Sequence, residues 1–241
     1  TAFTDVEVKD RRDLRNLAFV TIDGSDAKDF DDAVFAETLG KNKKLYVAIA
    51  DVSHYILPES AIDLEARSRG TSVYFPDQVI PMLPEELSNG ICSLVPHQDR
   101  LVLVCEMLIT PHGEILSSKF YSGIICSNAR LIYEEVQNWL DGEREVLGKV
   151  SPAVRDNILA LHKLYETFNT ARMARGALEI GTIEPKFNLN AERKIESIQA
   201  SPRVDAHKII EECMIAANTA AADFLVKKNR NTLYRAHDTP A

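Results

Sequence analysis

The chain contains no apolar run long enough to cross a bilayer, so a spanning helix is not expected. Its opening residues, T-A-F-T-D-V-E-V-K-D, hold no apolar core of the kind a secretion signal needs. Cysteine is sparse. Cys92, Cys105, Cys126 and Cys213 stand far apart and form no C-x-x-C pair, which excludes a zinc ribbon or a disulfide framework. A reducing, cytoplasmic setting fits that usage. Basic charge is in deficit, with 28 Lys and Arg against 36 Asp and Glu and a net charge of −8. That balance argues against a histone-like polyanion binder. It leaves room for nucleic acid whose phosphate charge is carried by metal ions. The six histidines, at 54, 97, 112, 162, 207 and 237, form no H-E-x-x-H or comparable pair. His54, in D-V-S-H-Y, reads as a hydrogen-bonded structural residue. No cysteine has a base near it in sequence for thiol catalysis. Internal repeats, low-complexity tracts and linkers are also missing. At 241 residues and 45% hydrophobic, one α+β domain with a sizeable core is the simplest organisation.

The pattern of elements supports that class. Leu17–Ile22 and Lys44–Asp51 read as buried strands, and the second ends on a carboxylate, Asp51. Ser60–Gly70 reads as a helix stopped by glycine. Thr71–Phe75 is a short strand closed by Pro76, and Pro84 is placed to open a short helix through Leu87. Leu101–Ile109 and Gly113–Ser127 make a hairpin about Pro111-His112-Gly113. Arg130–Leu140 reads as a helix. Ser151-Pro152, an N-cap serine with proline at the first helical position, starts another that runs to about Ala174. Leu178–Ile180 and Lys186–Leu189 suggest short strands. A helical period spans Val204 to Val226, and Leu233–His237 suggests a last strand.

What is abundant is aspartate, in one place. Thr21–Val34 reads T-I-D-G-S-D-A-K-D-F-D-D-A-V, with Asp23, Asp26, Asp29, Asp31 and Asp32 against one lysine, Lys28. Two like charges about 4 Å apart cost on the order of 4 kcal/mol at an effective dielectric of about 20. Such a cluster needs a cation or open water. In an extended loop Asp29 and Asp31 project to one side and Asp32 to the other, while the turn at Gly24-Ser25 brings Asp23 back. That arrangement can present oxygens to a small hard cation such as magnesium, which keeps waters and takes substrate oxygens as further ligands. A calcium EF-hand fails, because the fifth and twelfth places counted from Asp29 are Ala33 and Gly40. An aspartyl-phosphate site needs a strand running straight into its first aspartate, and Ala27-Lys28 intervene. A solvated acidic turn is the plain alternative.

The same stretch resembles the signature of the ribonuclease II/ribonuclease R family of catalytic domains, nearest to its bacterial ribonuclease R branch. The likeness continues in order through V-A-I-A-D-V-S-H-Y-I (47–56), I-P-M-L-P-E-E-L-S (80–88), S-N-A-R-L-I-Y-E-E-V (127–136) and H-K-I-I-E-E-C-M-I-A-A-N (207–218). It implies a single mixed α+β domain, a largely antiparallel sheet flanked by helices and incomplete at its C-terminus. It implies a processive 3′-to-5′ exoribonuclease that hydrolyses RNA to 5′-nucleoside monophosphates. The implied cofactor is magnesium, with manganese as a substitute. The implied partner is the 3′ end of single-stranded RNA, in a cytoplasmic protein whose parent is monomeric. Carried over by position, the catalytic aspartates are Asp23, Asp29, Asp31 and Asp32. Asp23, Asp29 and Asp32 face metal, and Asp31 positions the metal or the attacking water. Asp26 falls where members differ and is set aside. Tyr133 matches an aromatic that packs on the terminal nucleotides, and Tyr74 matches another that contacts RNA. Of Glu211 and Glu212, Glu211 is the expected RNA contact, with Asn218 two turns on along the same polar face.

Some of the family pattern does not occur in these 241 residues. A T-S-P-I-R-type segment, whose arginine binds the reacting phosphate, is absent, as are the flanking OB-type domains and a lysine-rich tail. Without one transition-state donor a rate falls by roughly 10²–10³. The chain by itself is therefore expected to be a fragment, 1–241 of such a catalytic domain, nearly inactive and weak in RNA binding. A non-catalytic RNA-binding or regulatory relative of the same fold is the rival reading.

Overall fold

Alternation of apolar side chains along a strand whose two faces are both covered builds the centre of this protein. On Val20, Val34 and Val47 one face meets helices. On Phe19, Ala33 and Ala48 the other meets loops. The computed structural model describes residues 8–76, 78–177, 184–190, 192–201 and 203–234. In chain order the first strands are β1 (Arg12–Asp13), β2 (Val20–Asp23), β3 (Asp32–Leu39) and β4 (Asn42–Ala50). Helices α1 (Val52–Tyr55) and α2 (Ala61–Arg69) follow, then the short strands β5 (Val73–Tyr74) and β6 (Val79–Ile80). A π-helical turn over Glu86–Ile91 leads to β7 (Asp99–Ile109), β8 (Ile115–Cys126) and β9 (Ala129–Ile132). Last come α3 (Tyr133–Leu140), α4 (Pro152–Ala174), β10 (Glu184–Leu189), β11 (Ile195–Ser201) and α5 (Asp205–Lys227).

Seven strands form one sheet in the order β1-β8-β7-β4-β3-β2-β9. The two outer pairs are parallel and the four inner pairs antiparallel. β5–β6 and β10–β11 are separate ribbons. Leu45, Tyr46, Val47 and Ala48 are all buried in mid-sheet, as a doubly covered strand requires. Helices α3, α4 and α5 cover one face through Val136, Ile158, Leu161, Ile209 and Cys213.

One detail of the sheet makes room for the aspartates. β2 and β3 pair only at Val20↔Val34, so they splay apart beyond that point. On the other side of that pair, away from the aspartates, Asn157 of α4 supplies the partners that a longer ladder would have given. Its Oδ1 accepts from the Ala36 N–H at 2.9 Å, and its Nδ2 donates to the Ala18 and Val34 carbonyls at 2.9 and 3.2 Å. A buried backbone group without a partner costs about 1–3 kcal/mol, which is why a polar side chain sits fully buried here.

The class expected from sequence, a mixed α+β domain with a mostly antiparallel sheet, is the one observed. The expected helix ends hold as well: Ser151 accepts from Val154 N–H and Gly70 closes α2 at φ +73°. At the start of α2, Ser60 accepts from Asp63 N–H, a cap not named from sequence. Two elements differ. The helix expected over Arg130–Leu140 begins only at Tyr133, because Ala129–Ile132 pairs in parallel with β2, from Val20↔Ala129 to Asp23↔Ile132. An open strand edge outweighs the local helical period there. The helix expected just after Pro84 is the π-helical turn, set between β6 and β7. The strands β1, β3, β6 and β11 and the helix α1 add to the expected set. The expected strand at Leu178–Ile180 lies outside the described residues, as do positions 235–237 of the last one. Leu233 and Tyr234 belong to no strand.

Candidate active site

Asp23 is the last residue of β2 and Asp32 the first of β3, so the splay of these strands holds both ends of the acidic stretch. The loop between them is fixed by its backbone. Phe30 is buried, its N–H donates to Ser93 Oγ at 3.0 Å, and Ser93 Oγ donates to the Lys28 carbonyl at 2.8 Å. Leu94 N–H donates to the Phe30 carbonyl and Ala50 N–H to the Asp31 carbonyl, each at 2.8 Å. From β9, Arg130 donates to the Ser25 carbonyl at 2.7 Å, and the Gly24 and Ala27 carbonyls lie at 3.5 and 3.4 Å. Its guanidinium carbon sits 5.3 Å from the centre of the Phe30 ring. Backbone groups are thus spent on the frame.

The carboxylates line a cleft of about 390 Å³ that takes in Asp23, Asp26, Asp29, Asp31, Asp32 and Tyr74. A neighbouring cavity of about 260 Å³ shares Asp26, Asp29 and Tyr74 and reaches Lys28 and Asn89. Two larger cavities, of about 620 and 510 Å³, lie against α5 away from the aspartate stretch, the second between α5, α4 and the β7–β8 turn. Size does not pick out the site here; the concentration of acid does.

Electrostatics show the strain of that concentration. Burial, then the charges of Asp23 and Asp31, push the Asp32 carboxyl up to about 6. Asp23 is raised by burial and by Asp29 and Asp26, although the Gly24 N–H, donating to its Oδ1 at 2.7 Å, and Arg130 pull the other way. Asp31 is raised by burial of its carboxyl and by Asp29 and Asp23, even though the residue as a whole stays exposed. For that residue the neighbouring charges are the sturdier cause.

Such a donor set suits a hard divalent cation. All of its side-chain ligands are oxygens, and the raised carboxyls show charge that a cation would offset. Among the described residues no three acidic, histidine or cysteine side chains already converge into a cage.

The other residues singled out from sequence fall in three places. Tyr74, on the exposed β5–β6 ribbon, is 68% exposed and lies beside Asp29 and Asp31, so it is not a core residue. Tyr133 opens α3 half-buried, its hydroxyl pushed up by burial and by the charges of Asp23 and Asp32. Glu211 forms an ion pair with Arg203 near the start of α5. Its neighbour Glu212 is buried and lies 3.0 Å from Arg172 of α4, outside hydrogen-bonding alignment. The four aspartates and Tyr74 share one cleft, and Tyr133 is within electrostatic reach of it. Glu211 pairs with Arg203 and does not line that cleft. Sequence reading passed over Arg130 and Ser93, which frame the loop, and Asp26, which lines the cleft. Arg130 stands three residues before Tyr133, but only the β2–β9 pairing shows where its guanidinium goes.

Fold and site together define a mixed-sheet domain with an acidic, cation-ready cleft at splayed strand ends. The chain belongs to the RNB domain family, whose match spans residues 11–241. Ribonuclease R of Vibrio parahaemolyticus is 54% identical over 234 residues, covering 95% of this chain and 28% of that protein. The structure of Mycoplasma genitalium RNase R in complex with ribose-methylated single-stranded RNA matches with TM-score 0.90 and 35% identity, over 95% of this chain and 36% of that one. The same enzyme in complex with double-stranded RNA matches with TM-score 0.91 at the same identity, over 95% and 41%. The chain thus spans under a third of the length of the ribonuclease R of Vibrio parahaemolyticus.

Proposed function

We propose that the protein carrying this chain is an exoribonuclease that hydrolyses RNA processively from its 3′ end and releases 5′-nucleoside monophosphates. The observation that carries this reading is the group of four carboxylates, Asp23, Asp29, Asp31 and Asp32, gathered in one cleft of an RNB fold where the β2 and β3 ends splay, with Asp23, Asp31 and Asp32 raised by burial and by one another's charge. Asp23, Asp29 and Asp32 would hold magnesium, or manganese in its place. When bound, such an ion supplies a water acidified for attack and stabilises charge on the phosphate oxygens. Asp31, the more exposed of the adjacent pair, orients the attacking water and takes up its proton. The hydroxyl adds to phosphorus as the bond to the 3′ oxygen of the remaining strand breaks, and that oxygen receives a proton. Tyr74 and Tyr133 offer ring faces to bases, a contact that tolerates any sequence and is worth about 1–3 kcal/mol per base.

The test incubates the full-length protein, beside Asp31→Asn, with 5′-labelled single-stranded RNA and magnesium. Stepwise shortening from the 3′ end by the parent, lost in Asp31→Asn while RNA is still bound, is expected. A parent protein that binds RNA without shortening it would make the non-catalytic relative the correct reading.

A further inference from the structure

Tyr133 does not stand alone at the mouth of α3. The His207 ring lies against it with centroids 4.0 Å apart and planes 20° from parallel, so one face of the phenol is covered by imidazole. The imidazole is itself held. The Val204 N–H donates to His207 Nδ1 at 3.3 Å, the half of a capping box in which the third helical residue reaches back to the cap. The first turn of α5 is tied to α3 a second time, through the Ala206 N–H donating to Gln137 Oε1 at 3.2 Å. Tyr133 and Gln137 are four apart on α3 and share one face, so the two contacts act as a pair of grips. Beneath them, Val136 and Ala206 are fully buried in the common core. The histidine singled out from sequence as unremarkable in ligand terms therefore sits in a fixed place, between a helix cap and an aromatic ring beside Asp23 and Asp32.

We propose that His207 is a positioning residue for RNA, acting through Tyr133. It backs one face of the phenol ring, fixing the ring plane, so that a nucleotide near the 3′ end stacks on the opposite face or edge. The stack is then three layers deep: imidazole, phenol, base. A ring held before the nucleotide arrives loses less freedom on binding than one that must be ordered by it. The proposal rests on the nuclease reading above for its substrate, but the stack itself is measurable without turnover.

The experiment uses full-length protein and RNA with 2-aminopurine as its 3′-terminal base, whose fluorescence falls on stacking. Binding is read in the Asp31→Asn background, and kcat and KM are read in the otherwise unchanged protein. His207→Ala is expected to lessen the quench and lower kcat/KM by about twofold to tenfold, the range of one aromatic pair. His207→Phe, which keeps a flat ring, is expected to restore most of both. In a Tyr133→Leu background, His207→Ala is expected to change neither any further, as a residue acting only through Tyr133 must. Thermal melts confirm that each variant is folded, and the phenylalanine variant serves if alanine melts. The proposal is overturned if His207→Ala quenches like its parent, if phenylalanine rescues nothing, or if the alanine effect persists in full without Tyr133. Failure of the parent to shorten RNA would sink the nuclease reading alone, since the quench would still report the stack.

Discussion

Glu106, in the middle of β7, and Asp32, at the start of β3, are both carboxylates set into the same sheet, yet their surroundings are opposite. Around Glu106 the fold gathers donors: Tyr121 Oη at 2.6 Å, Lys44 Nζ at 2.8 Å and Arg12 at 2.9 Å. Burial alone would raise its pKa, but those partners hold it below the usual carboxylate range. Asp51, just past β4, is treated the same way by Arg11 at 2.7 Å and by the Ser53 hydroxyl at 2.8 Å. Around Asp32 the nearest charges are more aspartates, and its carboxyl rises to about 6. A carboxylate kept for structure arrives with its counter-charge built in. Asp32, set beside others of its kind at a strand end, has burial and like charge acting on it and no such counter-charge. That contrast, more than the number of acids, separates site from scaffold here.

The contrast can be broken at each end. The largest expected effect is at Asp51, because it and Arg11 are almost wholly removed from water, with side chains 6% and 9% exposed. Asp51→Ala strands a buried guanidinium and should lower the unfolding free energy by about 3 kcal/mol, read by urea denaturation. Glu106→Gln comes next. Arg12 is 51% exposed and regains water easily, so the expected loss is about 1–2 kcal/mol at pH 7. The same substitution should also remove a share of acid sensitivity. A depressed carboxyl contributes stability above its unfolded value, near 4.5, and loses it as pH falls through the folded one.

Asp32→Asn should move the other way. A raised carboxyl binds its proton more tightly when folded, so its contribution improves as pH falls from about 6 toward the ordinary 3.8, and is unfavourable above that window. In buffer with a chelator, the amide should therefore stabilise the chain at pH 7 by on the order of 1 kcal/mol, allowing for partial solvent screening. It should also flatten the rise between pH 6 and pH 4. A destabilised Asp32→Asn protein at pH 7 would mean that the cluster carries an internal counter-charge after all. The smallest effect on stability belongs to Arg130→Gln, within about 0.5 kcal/mol for an exposed side chain. Its consequence lies in the frame. Loss of the grip on the Ser25 carbonyl should raise the magnesium needed for half-maximal activity of the full-length protein by about tenfold, measured by titration.

Much of this was readable before folding. Gly70, and Ser151 with Pro152, mark helix ends because capping involves neighbours a few residues apart. The hairpin β7–β8 follows from two apolar runs about a turn at Gly113, which takes φ +82°. The acid cluster was visible as a cluster. Less visible was that Asp32 belongs to a strand, since D-A-V-F-A-E-T-L becomes a strand by pairing with β4 across eight registers. Ala129–Ile132 was misplaced for a related reason. Its four residues carry no strong preference, and the free edge of β2 decides them.

By itself, then, the sequence determined that aspartates would crowd one short stretch, that the stretch would follow a buried strand, and that its one lysine, Lys28, is outnumbered five to one. Those are consequences of spacing and charge among near neighbours. Only the tertiary structure decided which acids are left uncompensated, that Arg130 grips the loop from 105 residues away, and that His207 lies on Tyr133. Contacts between distant parts of a chain depend on which surfaces are left unpaired once the sheet has formed, and no local pattern encodes that.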